Sequence, residues 1–302
     1  MTAQIFRLER FFDEPIIHGG MPGLEGERGA NINGPSLIRV PDWVPAPLGR
    51  YYLYFAHHGG HYLRMAYSDS ITGPWSVLLE PGVLHMDDAP GSKHIASPDV
   101  VIDEDSRQLR MYFHQPVEGQ GQRSFVALSE DGLQWRVEPE TLGLFYFRVF
   151  QRSVAQDNTY YAFCRNADVG GQWCRSTDGL TPFEEGHDIL PGCRHAASWV
   201  DGDVLHLFYS LAGDRPERIL VSQVDLSTDW AEWEPSPAQV VLEPTLEWEG
   251  GRLPLEESHW GRVTHPVRQL RDPGIYAEDG QLYLLYSGAG EQNLGIVRLH
   301  KN

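Results

Sequence analysis

The sequence predicts an all-β chain, a five-bladed β-propeller formed as a single domain over residues 1–302. Three observations carry this expectation. Short apolar strands recur between Gly, Asp and Pro turns, with no long periodic helices. They group in units of about four, and the units repeat at roughly fifty residues. A single twisted sheet cannot cover both of its faces. Radial packing gives each face a neighbour and leaves only short, protected edges, so this period points to a propeller rather than a sandwich.

The first strands of the units are GPSLIRV at 34–40, SPDVVID at 97–103, FYFRVFQ at 145–151, HAASWVD at 195–201 and DPGIYAE at 272–278, the last step being longer than the others. More apolar second strands follow: RYYLYFAHH at 50–58, QLRMYFHQ at 108–115, TYYAFCRNA at 159–167, DVLHLFYSLA at 203–212 and QLYLLYSGA at 281–289. The third strands are YLRMAYSDS, SFVALSEDG, GQWCRSTDG, RILVSQVDL and NLGIVRLHK. Tyr52, Tyr54, Phe113, Tyr161, Phe208 and Tyr283 suit packing between sheets. SDSITGPW, SEDGLQW and STDGLTPF occupy one place in the first three units, the hairpin between third and fourth strands, and DLSTDWAEW echoes them in the fourth. The fifth unit lacks an outer strand of its own. The N-terminal IFRLERFF is expected to supply it and so close the ring.

The formal charge of −18, from 42 acidic against 24 basic side chains, disfavours nucleic acid and anionic membrane surfaces as partners. No window is long and pure enough for a membrane span, and the start has no basic region followed by an apolar run, so a cytoplasmic protein is expected. Cys164, Cys174 and Cys193 are odd in number and form no CxxC pair, which points to buried free thiols. HHGGH at 57–61 lies in strand-like surroundings and is not read as a zinc site; no metal or cofactor is expected. The oligomeric state stays open.

Inner strands of a propeller line its axis, and polar residues cluster at their starts here: Asn31 and Asn33, then His94, Ser97 and Asp99, then Arg148, then Arg194 and His195, then Arg271 and Asp272. Asp99 and Asp272, each beside a proline, are the candidate acid and base, because two carboxylates can divide those roles when their surroundings separate their pKa values. His195, among small residues, could move a proton near neutral pH. Arg148 lies in an apolar strand and needs either an acid such as Asp99 or a ligand oxygen. Two insertions, 14–33 and 243–265, lead into inner strands and could rim the pocket. The second offers Glu257 as a general acid, His265 as a polar contact and Trp260 as a stacking face for a sugar. His58 and His94 complete the candidate binding set with Asn33 and Arg271.

YYLYFAHH with YSDSITGPW, SPDVVID and RDPGIYAEDGQLYLLYSG resemble the five-bladed glycosidase propellers of glycoside hydrolase families 43, 32, 62, 68, 117 and 130 along essentially the whole chain. The resemblance implies a central pocket for a small carbohydrate, with a first-blade Asp as base or nucleophile, a second-blade Asp as orienter and a third-blade Glu as acid. Asp99 matches the second of these. Asn33 stands where the first is expected, and the third blade offers Arg148 and no acid, so an arabinan or xylan substrate is not inherited. Family 117, with histidine as acid, is closer in spirit, with His195 or His265 as candidates. The leading expectation is a glycosidase-like enzyme acting on a short, modified or acidic oligosaccharide. A lyase in the same pocket and a non-catalytic carbohydrate-binding propeller are the alternatives.

Overall fold

The computed structural model describes residues 4–79, 82–152, 158–167 and 169–302. Regular structure is almost entirely β, 49% strand against 4% helix, and forms five antiparallel sheets arranged as propeller blades. Blade I comprises Asn33–Arg39, Tyr51–Ala56, Tyr62–Ser68 and the short Ser76–Val77, with Leu84–His85 also pairing with its third strand. Blade II runs Ala96–Asp103, Gln108–Val117, Gly121–Ser129 and Arg136–Val137, and blade III Phe145–Gln151, Tyr160–Asn166, Gly170–Ser176 and Glu184–Pro191. Blade IV comprises Cys193–Asp201, Val204–Leu211, Ile219–Asp225 and Gln239–Leu242. Blade V comprises Arg271–Glu278, Gln281–Gly288 and Asn293–Lys301, and its fourth strand is the N-terminal Phe6–Arg10, in register from Phe6 opposite Lys301 to Arg10 opposite Val297. The ring is thus closed by pairing both ends of the chain, as the sequence predicts. In blade IV the DLSTDWAEW segment forms a 3-10 turn, Trp230–Glu232, and the outer strand comes only after it.

Hydrophobic packing follows the blades. Tyr54 and Met65 of blade I pack with Met111 and Phe113 of blade II, and Tyr112 and Val126 of II with Phe147 and Ala162 of III. Phe163 and Trp173 of III meet Leu207 and Tyr209 of IV, Phe208 and Val221 of IV meet Leu284 and Val297 of V, and Leu285 and Ile296 of V meet Leu53 and Phe55 of I. Each interface has its own cluster, and the fifth returns to the first blade. The six aromatic residues predicted for these seams are all buried, as are the three unpaired cysteines.

Every inner strand is irregular near its start. Its register against the second strand shifts between Asn33 and Ser36, Ala96 and Asp99, Phe145 and Arg148, Cys193 and His195, and Arg271 and Gly274. In four of these bulges a residue takes a left-handed φ: Gly34 at 62°, Ser97 at 56°, Tyr146 at 63° and Asp272 at 46°. Bulges re-aim side chains, and non-glycine residues hold such angles only when their surroundings enforce them. The bulges here separate two chambers. Ser97, Tyr146, His195 and Asp272 line one, whereas Ser36, Asp99, Arg148 and Gly274 line another.

Candidate active site

The larger chamber has a volume of about 260 Å³ and is walled by all five blades: Asn33 and His58 from I, His94, His114 and Gln122 from II, Tyr146 and Arg165 from III, Arg194 and His195 from IV, and Asp272 from V. Antiparallel geometry explains the set. The start of a first strand lies at the same end as the connection between second and third strands, so His58, Gln122 and Arg165 reach the same space as the inner-strand residues.

Behind the wall lies a chain of buried charges. Arg194 Nε is 3.2 Å from Glu217 Oε1, Glu217 Oε2 is 3.0 Å from Arg271 Nε, and Arg271 is 3.0 Å from Glu291 Oε1. Ser210 donates to Glu217 at 2.7 Å, and Arg271 donates to Gln269 Oε1 at 2.6 Å. Glu291 Oε2 accepts from Asn31 at 2.7 Å and Asn33 at 3.2 Å, with His58 Nδ1 also at 3.2 Å. The 243–265 loop joins in through its backbone, the carbonyls of His259 and Gly261 accepting from Arg194. Two arginines thus balance two glutamates, the condition for burying such groups. Burial would raise the pKa of Glu291, but His58, Arg271 and Asn31 outweigh it and hold the group down to about 2.

Asp272 stands beside this balanced set without an ion pair to either arginine. Its Oδ1 is 3.2 Å from His195 Nε2. Burial, then the like charge of Glu291, push its pKa up to about 7 against the pull of Arg194 and Arg271. Burial and the same two arginines drive His195 well below the usual histidine value, so its imidazole is neutral at pH 7. Asp272 Oδ2, His195 Nδ1, the Tyr146 hydroxyl, His114 Nδ1 and Arg165 Nε are all sealed from solvent and lack a hydrogen-bond partner among the described residues. Buried polar atoms are ordinarily paired, and five such orphans lie on residues around one chamber.

No protein-family model matches the sequence. An uncharacterized protein of Acanthamoeba polyphaga mimivirus is 31% identical over a 329-residue alignment that covers 97% of this chain and 90% of the viral protein. The chain belongs to the same family as that viral protein. Among solved structures this family member is similar to a family-43 β-xylosidase/α-arabinofuranosidase from a compost microbial metagenome, in complex with xylotriose, at 14% identity and a TM-score of 0.64 over 99% of this chain and 96% of that one. A thermostable family-43 glycoside hydrolase superimposes at 13% identity and a TM-score of 0.64 over 90% of both chains. The α-L-arabinanase of Cellvibrio cellulosa, complexed with arabinohexaose, does so at 12% identity and 0.61, over 90% and 93%. At these identities the shared property is the five-bladed propeller fold.

Within this family member the candidates from the sequence separate. Asn33, His58, His94, His195 and Asp272 come together in the larger chamber. Arg271 is fully buried behind it, in the ion chain. Asp99 does not face Asp272: it lies in the second chamber of about 40 Å³, accepting from the Val149 amide at 2.9 Å, with burial raising its pKa against Arg148. Arg148, in the same chamber, donates to the carbonyls of Ala196 at 3.0 Å and Phe147 at 2.9 Å. Glu257, Trp260 and His265 are exposed on the 243–265 loop, outside the chamber lining, and one face of Trp260 is covered by Arg165. Glu217, Glu291, Arg165, His114 and Gln122 were not singled out by the sequence. Glu217, Glu291 and Gln122 lie in or beside connections between second and third strands, and Arg165 and His114 lie towards the ends of second strands. Aligning those segments as well as the first strands would have found them.

Proposed function

We propose that the chain cleaves a glycosidic bond of a short saccharide held in the larger chamber, with Asp272 and His195 as its proton-transfer pair. The observation that carries the reading is the contact between Asp272 Oδ1 and His195 Nε2, with the other oxygen and the other ring nitrogen left without partners at the chamber wall. A carboxyl group still protonated near neutral pH can give its proton to a leaving glycosidic oxygen. The neutral imidazole can accept a hydrogen bond from the acid form, or donate one to the carboxylate, depending on its tautomer, and so steadies both stages of the transfer. The likeness in fold to xylosidases and arabinanases supports a carbohydrate as the ligand, and the mix of histidine, asparagine, glutamine and tyrosine around the chamber suits sugar hydroxyls.

A second reading, elimination, is favoured by one specific observation. Asp272 is the single carboxylate among the described residues lining this chamber, whereas double-displacement or inverting hydrolysis ordinarily uses two, on opposite sides of the bond. A product-resolved assay against neutral, uronic and anhydro oligosaccharides separates the readings. Asp272→Asn and His195→Gln run beside the parent, with folding checked by thermal melting. A new reducing end, lost in both variants, is the expected result. An unsaturated product would move the reaction to elimination, and saturable binding with no turnover of any saccharide would sink the enzymatic reading.

A further inference from the structure

Arg165 is the unexplained charge at this site. It lies one residue before the end of the second strand of blade III, opposite Phe145 in register, and lines the chamber with Asp272 and His195. The guanidinium carbon lies 4.1 Å from the ring centroid of Trp260 and 4.9 Å from that of Phe145, so two aromatic side chains hold it. The other arginines of the region are engaged: Arg194 and Arg271 by Glu217 and Glu291, Arg148 by the Ala196 and Phe147 carbonyls, Arg64 by those of Arg28 and Asn31. The Arg165 side chain makes neither an ion pair nor a hydrogen bond with any described residue. Burial, then Arg194, lower its pKa to about 10, which leaves it charged at neutral pH.

We propose that Arg165 is a carboxylate-recognition residue, and that the saccharide taken by this chamber carries an acid group of the uronic type. This rests on the reading of the chamber as a saccharide site and names its substrate class. A half-buried cation without a counter-charge among the described residues is unfavourable, and an anionic ligand removes the penalty. The two aromatic contacts hold the guanidinium at the chamber wall, and a guanidinium can make a two-point contact to a carboxylate. The negative surface does not oppose this: the buried arginines and glutamates cancel, Asp272 carries no charge in its acid form, and Arg165 supplies a positive charge at the chamber wall.

The test uses two short oligosaccharides that differ only in a carboxylate against a hydroxymethyl group, with binding measured by titration calorimetry and cleavage by product analysis. The intact protein should bind the uronic member at least about tenfold more tightly, a preference that shrinks with added salt. Arg165→Gln should bring the ratio of affinities close to one, and Arg165→Lys should keep part of it, while both keep a cooperative melt within a few degrees of the parent, since two ring contacts but no protein ion pair are lost. An unchanged ratio in Arg165→Gln, a preference for the neutral member, or binding of neither would overturn the proposal. A preference that depends on Arg165 without cleavage would leave this assignment standing and remove the catalytic one. Equal binding and cleavage of both members would do the reverse.

Discussion

Asp272 keeps its proton because it is buried beside Glu291 and the arginines of the ion chain are already matched. Arg194 and Arg271 are held by Glu217 and Glu291, so for a further carboxylate in the same dry region burial and the repulsion of Glu291 outweigh their pull. This has a consequence for stability. In the unfolded chain Asp272 ionises near its usual value of 3.8, and in the folded chain near 7. Its contribution is therefore fully present below the unfolded value and is lost as pH rises through the folded one. Asp272→Asn should be more stable than the parent at pH 8, by a few kcal/mol, and the gap should close towards pH 4; urea unfolding at both pH values measures it. Glu291 acts on the reaction through Asp272. Glu291→Gln removes the like charge, so the alkaline limb of the kcat/KM profile should move to lower pH, whereas a purely structural role would lower the profile without shifting it. Asp272 and His195 were legible because polar residues at the mouths of apolar inner strands stand out. Glu217 and Glu291 sit in polar turns, where an acidic residue is ordinary, and only the return of the chain at the end of the second strand brings them back to the axis.

The blades repeat a device that the turn motifs foreshadow. In SEDG, Ser129 Oγ accepts from the Gly132 amide at 2.8 Å, and Asp131 accepts from the amides of Leu133 and Gln134 at 2.7 and 2.8 Å. STDG repeats this, Ser176 accepting from Gly179 at 3.2 Å and Asp178 from Leu180 at 2.8 Å. Each turn is then fastened to the preceding blade: Tyr54 donates to the Gly132 carbonyl at 2.9 Å, and Tyr112 to that of Gly179 at 3.1 Å. Gly132 has φ at 75°, and a Cβ there would stand 2.6 Å from the Tyr54 hydroxyl. Gly132→Ala should therefore cost about 1–3 kcal/mol in chemical denaturation, and Tyr54→Phe about 1 kcal/mol. The motif and its place between strands were readable from spacing, because the local hydrogen bonds dictate Ser, Asp and Gly. The tyrosine that fastens it was not, because the partner is a blade away. Nor were the bulges: Ser97, Tyr146 and Asp272 hold left-handed backbone that no local preference requests, so the division into two chambers, which parts Asp99 from Asp272, could not be foreseen.

For the molecule as a whole, closure rests on few residues. Phe6 is 2% exposed and packs against Phe208 at 5.4 Å and His206 at 5.2 Å between ring centroids, joining the N-terminal strand to the seam between blades IV and V. Phe6→Ala should destabilise the protein by about 3–5 kcal/mol, read as a lower urea midpoint. The five-blade count and the closing strand followed from the sequence because a ring leaves one seam and the last repeat lacked one strand. Among the described residues no helix is long and apolar enough to cross a membrane.

The closing strand also frees the molecule from its own starting point. The Asn302 amide donates to the Ile5 carbonyl at 3.0 Å and its side chain to that of Gln4 at 2.8 Å, so residues 4 and 302 lie within a short linker of each other. A circular permutant that joins them and opens between blades II and III would begin and end in a different sheet yet keep every blade whole. Chains whose ends lie close together tolerate such rearrangement, and here the order in which the blades are made could be changed without moving the chamber they surround.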